Sequence, residues 1–255
     1  MNDQVKSAIR VLDLLELFAV TTDPMGVTEV ARRMDIPKSS AQALLLTLAG
    51  RGYLLRDDAG YALPGEMRGG WVGGIRTRLL GITTPILATL AQKSRESAFV
   101  GVLTGNGQIQ YLAKAVSPQE VRYDASLEHP RLIHATSMGL AIMAYSSERD
   151  VARWLQPARL TRITPHTETD PTRIQTQLAQ IRNDGYAEVK NANVEGASGV
   201  SAPIFGANGL PVAALNVGAP TWRYEQQREQ LIDLVREEAA RITQLLAAAI
   251  RNGGQ

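Results

Sequence analysis

Apolar positions open the chain at helical spacing. Ala8, Ile9, Leu12, Leu15 and Ala19 share one face and Lys6, Arg10 and Asp13 the other, which predicts an amphipathic helix over residues 5–19. A second short helix is predicted from Thr28 to Met34, with Thr28 as its N-cap and Glu29 at the positive end. Asp35, Ile36 and Pro37 break the pattern, because Pro37 lacks an amide hydrogen but suits the start of a helix. A third helix follows from about Lys38 to Ala49. Its stripe of Ala41, Leu44, Leu45 and Leu48 is built for packing, and Ser39, Gln42, Ala43 and Leu46 lie on the other side. Two short strands, Tyr53–Arg56 and Tyr61–Leu63, are predicted around Asp57, Asp58, Ala59 and Gly60. Helix, helix, turn, helix and hairpin within 65 residues is the layout of a winged helix-turn-helix.

Residues 65–82 change character. Gly69, Gly70, Gly73 and Gly74 would each cost a helix about 1 kcal/mol, so this stretch is expected to be a linker or hinge. The pattern then alternates. Helices are predicted at Thr84–Ser94, Thr136–Tyr145, Glu148–Leu155 and Pro171–Asn183, with Asp170 capping the last, and a long amphipathic helix at Glu225–Ile250. Strands are predicted at Ala98–Leu103, Ile109–Ala115, Val121–Tyr123, Tyr186–Lys190, Gly199–Phe205 and Val212–Val217. Hairpin-linked strands with helices between them point to an antiparallel sheet covered by helices. The expected fold class is α/β of the α+β kind. It comprises a winged helix-turn-helix at 1–64, a linker at 65–82 and a sheet domain at 83–255.

Composition excludes more than it selects. The 255 residues carry a formal net charge of +2 and no cysteine, so disulfides, thiolate metal sites and a cysteine nucleophile are ruled out. Asp13 and Glu16 interrupt the first apolar stretch, unlike a secretory signal. The longest stretch without Asp, Glu, Lys or Arg, Gly196–Trp222, contains Pro203, Pro211 and Pro220 and makes a poor membrane helix. A cytoplasmic protein that does not span a membrane is expected. The three histidines show no metal-ligand spacing and no nucleophile elbow is present, so neither catalysis nor a cofactor or metal is expected.

The first 64 residues are close to neutral overall, but Arg32, Arg33, Lys38, Arg51 and Arg56 surround the third helix with only Asp35 among them. Such cations grip phosphates while the helix face supplies base contacts. The expected DNA-binding residues are Arg32, Lys38, Ser39, Ser40, Gln42, Ala43, Thr47, Arg51 and Arg56. Gln42 suits adenine, and apolar groups suit thymine methyls. A solvated packing module or a protein-docking module would share the three-helix pattern.

VKSAIRVLDLLELFA and VTEVARRMDIPKSSAQALLLTLAGRGYLLRD resemble the IclR family of bacterial transcriptional regulators. The likeness continues through LIHATSMGLAIMAY, ITPHTETDPTRIQTQLAQIRNDGYAEV and GASGVSAPIFGANGLPVAALNVGAP, and so covers nearly the whole chain. The resemblance implies a winged helix-turn-helix on a linker, a GAF-like sensor domain, a homodimer or homotetramer, and regulation by a small-molecule effector. Two-fold symmetry then implies a pseudo-palindromic double-stranded operator. It also implies an effector pocket lined by Ala135, Thr136, Ser137 and Met138, together with Val189, Gly199, Asn216 and Gly218. Relatives commonly carry Arg where this chain has Ala43. The family's familiar Asp, Cys and two Ser pocket positions fall on Val189, Gly199, Asn216 and Gly218. Loss of polar groups and of side-chain volume there favours a larger, more apolar effector such as an aromatic acid, with Asn216 left to orient it. The reading is a ligand-responsive regulator, expected to be a repressor of a catabolic operon. The rival is an orphan DNA-binding protein whose second domain serves only assembly.

Overall fold

The computed structural model describes residues 5–19, 21, 23–64, 75–104, 106–206 and 209–252. The chain divides into two compact units, Met1–Leu79 and Leu80–Gln255. The Gly-rich stretch 65–74 of the expected linker lies outside the described residues.

The first unit packs helices α1 (Lys6–Ala19), α2 (Val27–Met34) and α3 (Lys38–Gly50) with the hairpin β1 (Leu55–Asp57) and β2 (Gly60–Ala62). Its core is Leu14, Phe18, Val30, Ala41, Leu45, Leu48, Leu54, Tyr61 and Leu63. The stripe on α3 is therefore buried as expected, with Leu44 half-buried at its edge. Between α2 and α3, Asp35 takes a left-handed conformation, φ 51°, and Pro37 caps α3, which gives the sharp turn of the motif. Two local expectations are corrected. Gly26, not Thr28, is the N-cap of α2, because extended backbone at Gly26 starts the helix a residue earlier. The hairpin strands sit later than predicted at one end because the Tyr53 and Leu54 amides turn back to the Leu48 carbonyl at the end of α3. The Asp57 carboxylate accepts from the Ala59 and Gly60 amides, at 2.9 and 3.0 Å, and closes the wing.

The second unit begins within α4 (Ile75–Ser94), which starts nine residues before the predicted Thr84. A six-stranded antiparallel sheet follows, in the order β5-β4-β3-β8-β7-β6. Its strands are β3 (Ser97–Leu103), β4 (Gln108–Ala115), β5 (Arg131–Leu132), β6 (Ala187–Lys190), β7 (Ala197–Phe205) and β8 (Pro211–Pro220). No strand forms at Val121–Tyr123. The short β5 pairs there instead, through Gln108↔Leu132 and Ile109↔Arg131. Helices α5 (Ser137–Ala144), α6 (Glu148–Trp154) and α7 (Pro171–Asp184) follow β5, and α7 is capped by Asp170 as expected. The last helix is split into α8 (Thr221–Gln226) and α9 (Arg228–Asn252), rather than running unbroken from Glu225.

Every residue of α5 is buried. Gly139 makes this possible, since a Cβ there would lie 1.9 Å from the Ile133 carbonyl oxygen, in the turn that leads into the helix. Helix α5 lies against β7 and β8, and α9 also packs on these strands.

Candidate functional site

On the first unit, Lys38, Ser39, Gln42, Ala43, Thr47, Arg51 and Arg56 are exposed and Ser40 is half-buried. The Thr47 hydroxyl is engaged by its own helix, donating to the Ala43 carbonyl at 2.7 Å. Arg32 is less available than its position suggests. It holds Glu29 by two hydrogen bonds, of 3.0 and 2.6 Å, and Arg33 adds a third of 2.6 Å. These bonds pull the Glu29 carboxyl down to about 2. Arg56 leans over the Tyr61 ring at 5.7 Å, which steadies the wing while leaving its charge outward.

Two cations on the polar side of α1 lie beside this face. Lys6, Ser7 and Arg10 line a shallow groove of ≈ 510 Å³ together with Ser40, Ala43 and Leu44 of α3. Among the described residues, neither Lys6 nor Arg10 is recorded in an ion pair. The signal in the sequence was their four-residue spacing on the polar side of the first helix.

On the second unit the sheet register brings the expected pocket positions together. Val189 faces Gly199, Gly199 faces Gly218, and Gly218 faces Ser97, forming one row across β6, β7, β8 and β3. Two residues along, Ala187, Ser201, Asn216 and Phe99 form the next row. Side chains two apart share a face, so both rows look the same way. Helix α5 presents Ser137 to them: its hydroxyl lies 2.8 Å from that of Ser201, and the Asn216 amide nitrogen donates to it at 3.1 Å. The same nitrogen reaches the Ser201 hydroxyl and the Val200 carbonyl, both at 3.0 Å. The Asn216 donor is thus spent within the protein, and no recorded bond occupies its carbonyl oxygen. The Thr136 hydroxyl caps α5 by accepting from the Gly139 amide at 3.1 Å. Ala135 and Met138 are buried.

The expectation of open volume at the two glycines is corrected. A Cβ on Gly199 would lie 3.0 Å from the Asn216 amide nitrogen, so that side chain already covers it. A Cβ on Gly218 would lie 2.7 Å from Cδ1 of Tyr123. The Tyr123 ring occupies the place where a side chain would stand. It meets Phe99 edge-on at 5.7 Å, and Phe99 meets Tyr111 at 5.2 Å. Tyr123 was absent from the expected pocket because it sits far from the rest in sequence, on a stretch without regular structure. Burial and the neighbouring Tyr123 push the Tyr111 hydroxyl above the ordinary phenol range. Arg122 is exposed and donates to the Gln119 carbonyl at 3.3 Å.

His134 is buried and meets the Thr161 carbonyl at 3.0 Å, whereas His129 and His166 are exposed. Among the described residues no group of three or more His, Cys, Asp or Glu could hold a metal ion, and no helix is long and apolar enough to cross a membrane.

Residues 7–58 match the IclR helix-turn-helix domain, and residues 75–244 match the C-terminal domain of the bacterial transcriptional regulator IclR. The chain belongs to the IclR family. The HTH-type transcriptional regulator BhcR of Paracoccus denitrificans is 31% identical over 254 residues, 98% of this chain and 90% of that one. A crystal structure from Silicibacter sp. TM1040 superposes with a TM-score of 0.73 at 25% identity, over 94% of this chain and 96% of that one. An IclR homologue of Microbacterium hydrocarbonoxydans, crystallised with 4-hydroxybenzoate, gives a TM-score of 0.65 at 26% identity, over 94% and 98%. As a member of the IclR family this chain is a DNA-binding transcriptional regulator and not an enzyme.

Proposed function

We propose that this regulator is a ligand-responsive repressor of a catabolic operon, released or retained on DNA by a small organic acid with an aromatic ring. Residues 1–64 read the operator, 65–82 couple the two parts, and 83–255 take the effector and hold a homodimer or homotetramer on a pseudo-palindromic site. The observation that carries the reading is the convergence of Ser137, Asn216, Gly199, Gly218 and Val189 from α5 and three strands onto one face, beside an aromatic wall. This is the mixture of apolar lining and a few placed polar groups that suits a small ligand. The 4-hydroxybenzoate bound by the Microbacterium homologue supports an aromatic acid. The DNA side is Lys38, Ser39, Ser40, Gln42, Ala43, Thr47, Arg51 and Arg56, extended by Lys6 and Arg10 and only weakly by Arg32. An effector acts through its different affinities for the DNA-competent and incompetent arrangements.

Fluorescence anisotropy on the chain's own upstream intergenic DNA tests this against a scrambled duplex, at two salt concentrations, with and without a panel of aromatic acids. Selective binding that strengthens as salt falls and weakens with one acid is the expected result. Equal, weak binding to both duplexes would remove the operator reading. Unchanged binding with every acid would favour the second reading, in which the sheet unit serves only assembly. The mutual satisfaction of Ser137, Ser201 and Asn216 lends that reading some support. A ligand-induced rise in melting temperature separates the two.

A further inference from the structure

The segment from Pro118 to Pro130 crosses the aromatic side of the sheet as a strap, and the way it is attached is unusual. Among the described residues it joins no strand ladder and makes no backbone–backbone hydrogen bond. Side chains hold its carbonyls instead. Arg223 donates to Val121 at 2.9 Å, Lys114 to Ala125 at 3.0 Å, Gln110 to Leu127, and Arg131 to Ser126 at 3.0 Å and His129 at 2.8 Å. Lys114 also pairs with Asp124 at 2.5 Å. Lifting such a strap exchanges side-chain bonds for water, each a modest contribution, and exposes the apolar contacts of Ala125 and Leu127, with no sheet to unzip.

What the strap carries is a phenol. The Tyr123 ring lies on bare Gly218, edge-on to Phe99, with its hydroxyl beside that of Tyr111. The carbonyl oxygen of Asn216 lies 3.4 Å from the same point above Gly218, and no recorded bond uses it. The seat therefore has a glycine floor, an aromatic wall, a hydroxyl partner and a free acceptor, and the chain's own side chain fills it.

We propose that the effector is a monocyclic phenol that takes the place of the Tyr123 ring on Gly218, with the strap as the lid that lifts to admit it. This rests on the effector reading given above. The seat is self-occupied, so part of the intrinsic affinity of a phenol is spent on expelling Tyr123. A compact acid without a ring finds no such place.

The test is isothermal titration of the full chain with 4-hydroxybenzoate and, separately, glyoxylate. The variants are Tyr123→Ala, which empties the seat, and Lys114→Met, which loosens the strap while leaving the seat intact. Both variants are expected to bind 4-hydroxybenzoate more tightly than wild type, Tyr123→Ala by at least about tenfold and Lys114→Met by about threefold. Neither should gain affinity for glyoxylate. A gain in Tyr123→Ala alone would mark an engineered hole and overturn the lid. If Tyr123→Ala fails to fold, the Lys114→Met comparison decides alone. Glyoxylate binding more tightly than 4-hydroxybenzoate to all three proteins would overturn the phenol and the aromatic ring of the effector reading, and leave a ligand-responsive regulator standing. No binding of either compound by proteins that still hold operator DNA would remove both.

Discussion

Arg223 anchors the strap to the end of the sheet, and its loss should be costly for a calculable reason. Its guanidinium forks the Glu96 carboxylate, through Nε to Oε1 and through a terminal nitrogen to Oε2 at 2.8 Å, and also holds the Val121 carbonyl. The Glu96 side chain is fully buried and that of Arg223 only 11% exposed. In Arg223→Ala the carboxylate stays behind without its counter-charge, a change that costs about 3–5 kcal/mol. At about 2–4 °C per kcal/mol for a unit of this size, the transition of the sheet unit should fall by about 10 °C. Thermal and urea denaturation followed by circular dichroism, each fitted as two transitions because there are two units, would measure the shift and the free energy. The control is Glu96→Gln in the same background. A neutral amide is cheaper to bury than an orphaned charge, so it should restore about 1–3 kcal/mol. A loss below about 1 kcal/mol in Arg223→Ala, or a further loss on adding Glu96→Gln, would refute the reasoning, because it would mean that water already reaches the pair.

Gly139→Ala should abolish the folded sheet unit, read as loss of cooperative melting, because its methyl would sit 1.9 Å from a backbone oxygen that cannot swing aside. Lys6→Ala and Arg10→Ala should each reduce the salt dependence of operator binding by about 0.9 in log–log slope, and weaken the scrambled duplex equally. Arg33→Ala, whose guanidinium is held by Glu29, should change that slope least. Burial holds the His134 ring below its ordinary value of 6.5, so the unfolded chain binds its proton first. Stability should therefore be full above about pH 6.5 and decline as pH falls through it, and His134→Gln should flatten that decline in melting curves. Gly218→Ala should destabilise the protein with Tyr123 present and cost little in a Tyr123→Ala background, a coupling of about 1 kcal/mol or more in a double-mutant cycle. Additive losses would show that the ring and the glycine do not share that space.

The helices and hairpins were legible because their signals are local. The stripe of Ala41, Leu45 and Leu48 set the inner side of α3, and Asp170 with Pro171 marked the start of α7 to the residue. Legibility failed where long-range packing outweighed local preference. Val121–Tyr123 has a strand's composition, but Arg223 and Gly218 draw it into the strap, and pairing passes to Arg131 and Leu132. Residues 75–82 follow a run of glycines that argued for a connection, yet they are helical and bury Leu79. Val189, Gly199 and Gly218 of β6, β7 and β8 stand in one row. What occupies the space between them was invisible, because a glycine in a sequence does not say which distant ring covers it.

Both sites show the same arrangement once the fold is known. On α3, Ala43 stands where the resemblance implies a cation, and the groove beside Ala43 is lined by Lys6 and Arg10 from another helix. In the sheet unit, Gly218 stands where the resemblance implies a side chain, and Tyr123 from the strap stands over it. A deletion of side-chain atoms at one position is matched in each case by a side chain arriving from an element far away in sequence. In the sheet unit the replacement differs from a fixed side chain in one respect: it is carried by the strap. A ring on a strap held by side chains can leave where a side chain on a strand could not. On this logic the departures alter the kind of control as well as the kind of ligand. At Gly218 a fixed group is exchanged for one whose position is itself an equilibrium, and an effector can bias that equilibrium only by competing for the same space.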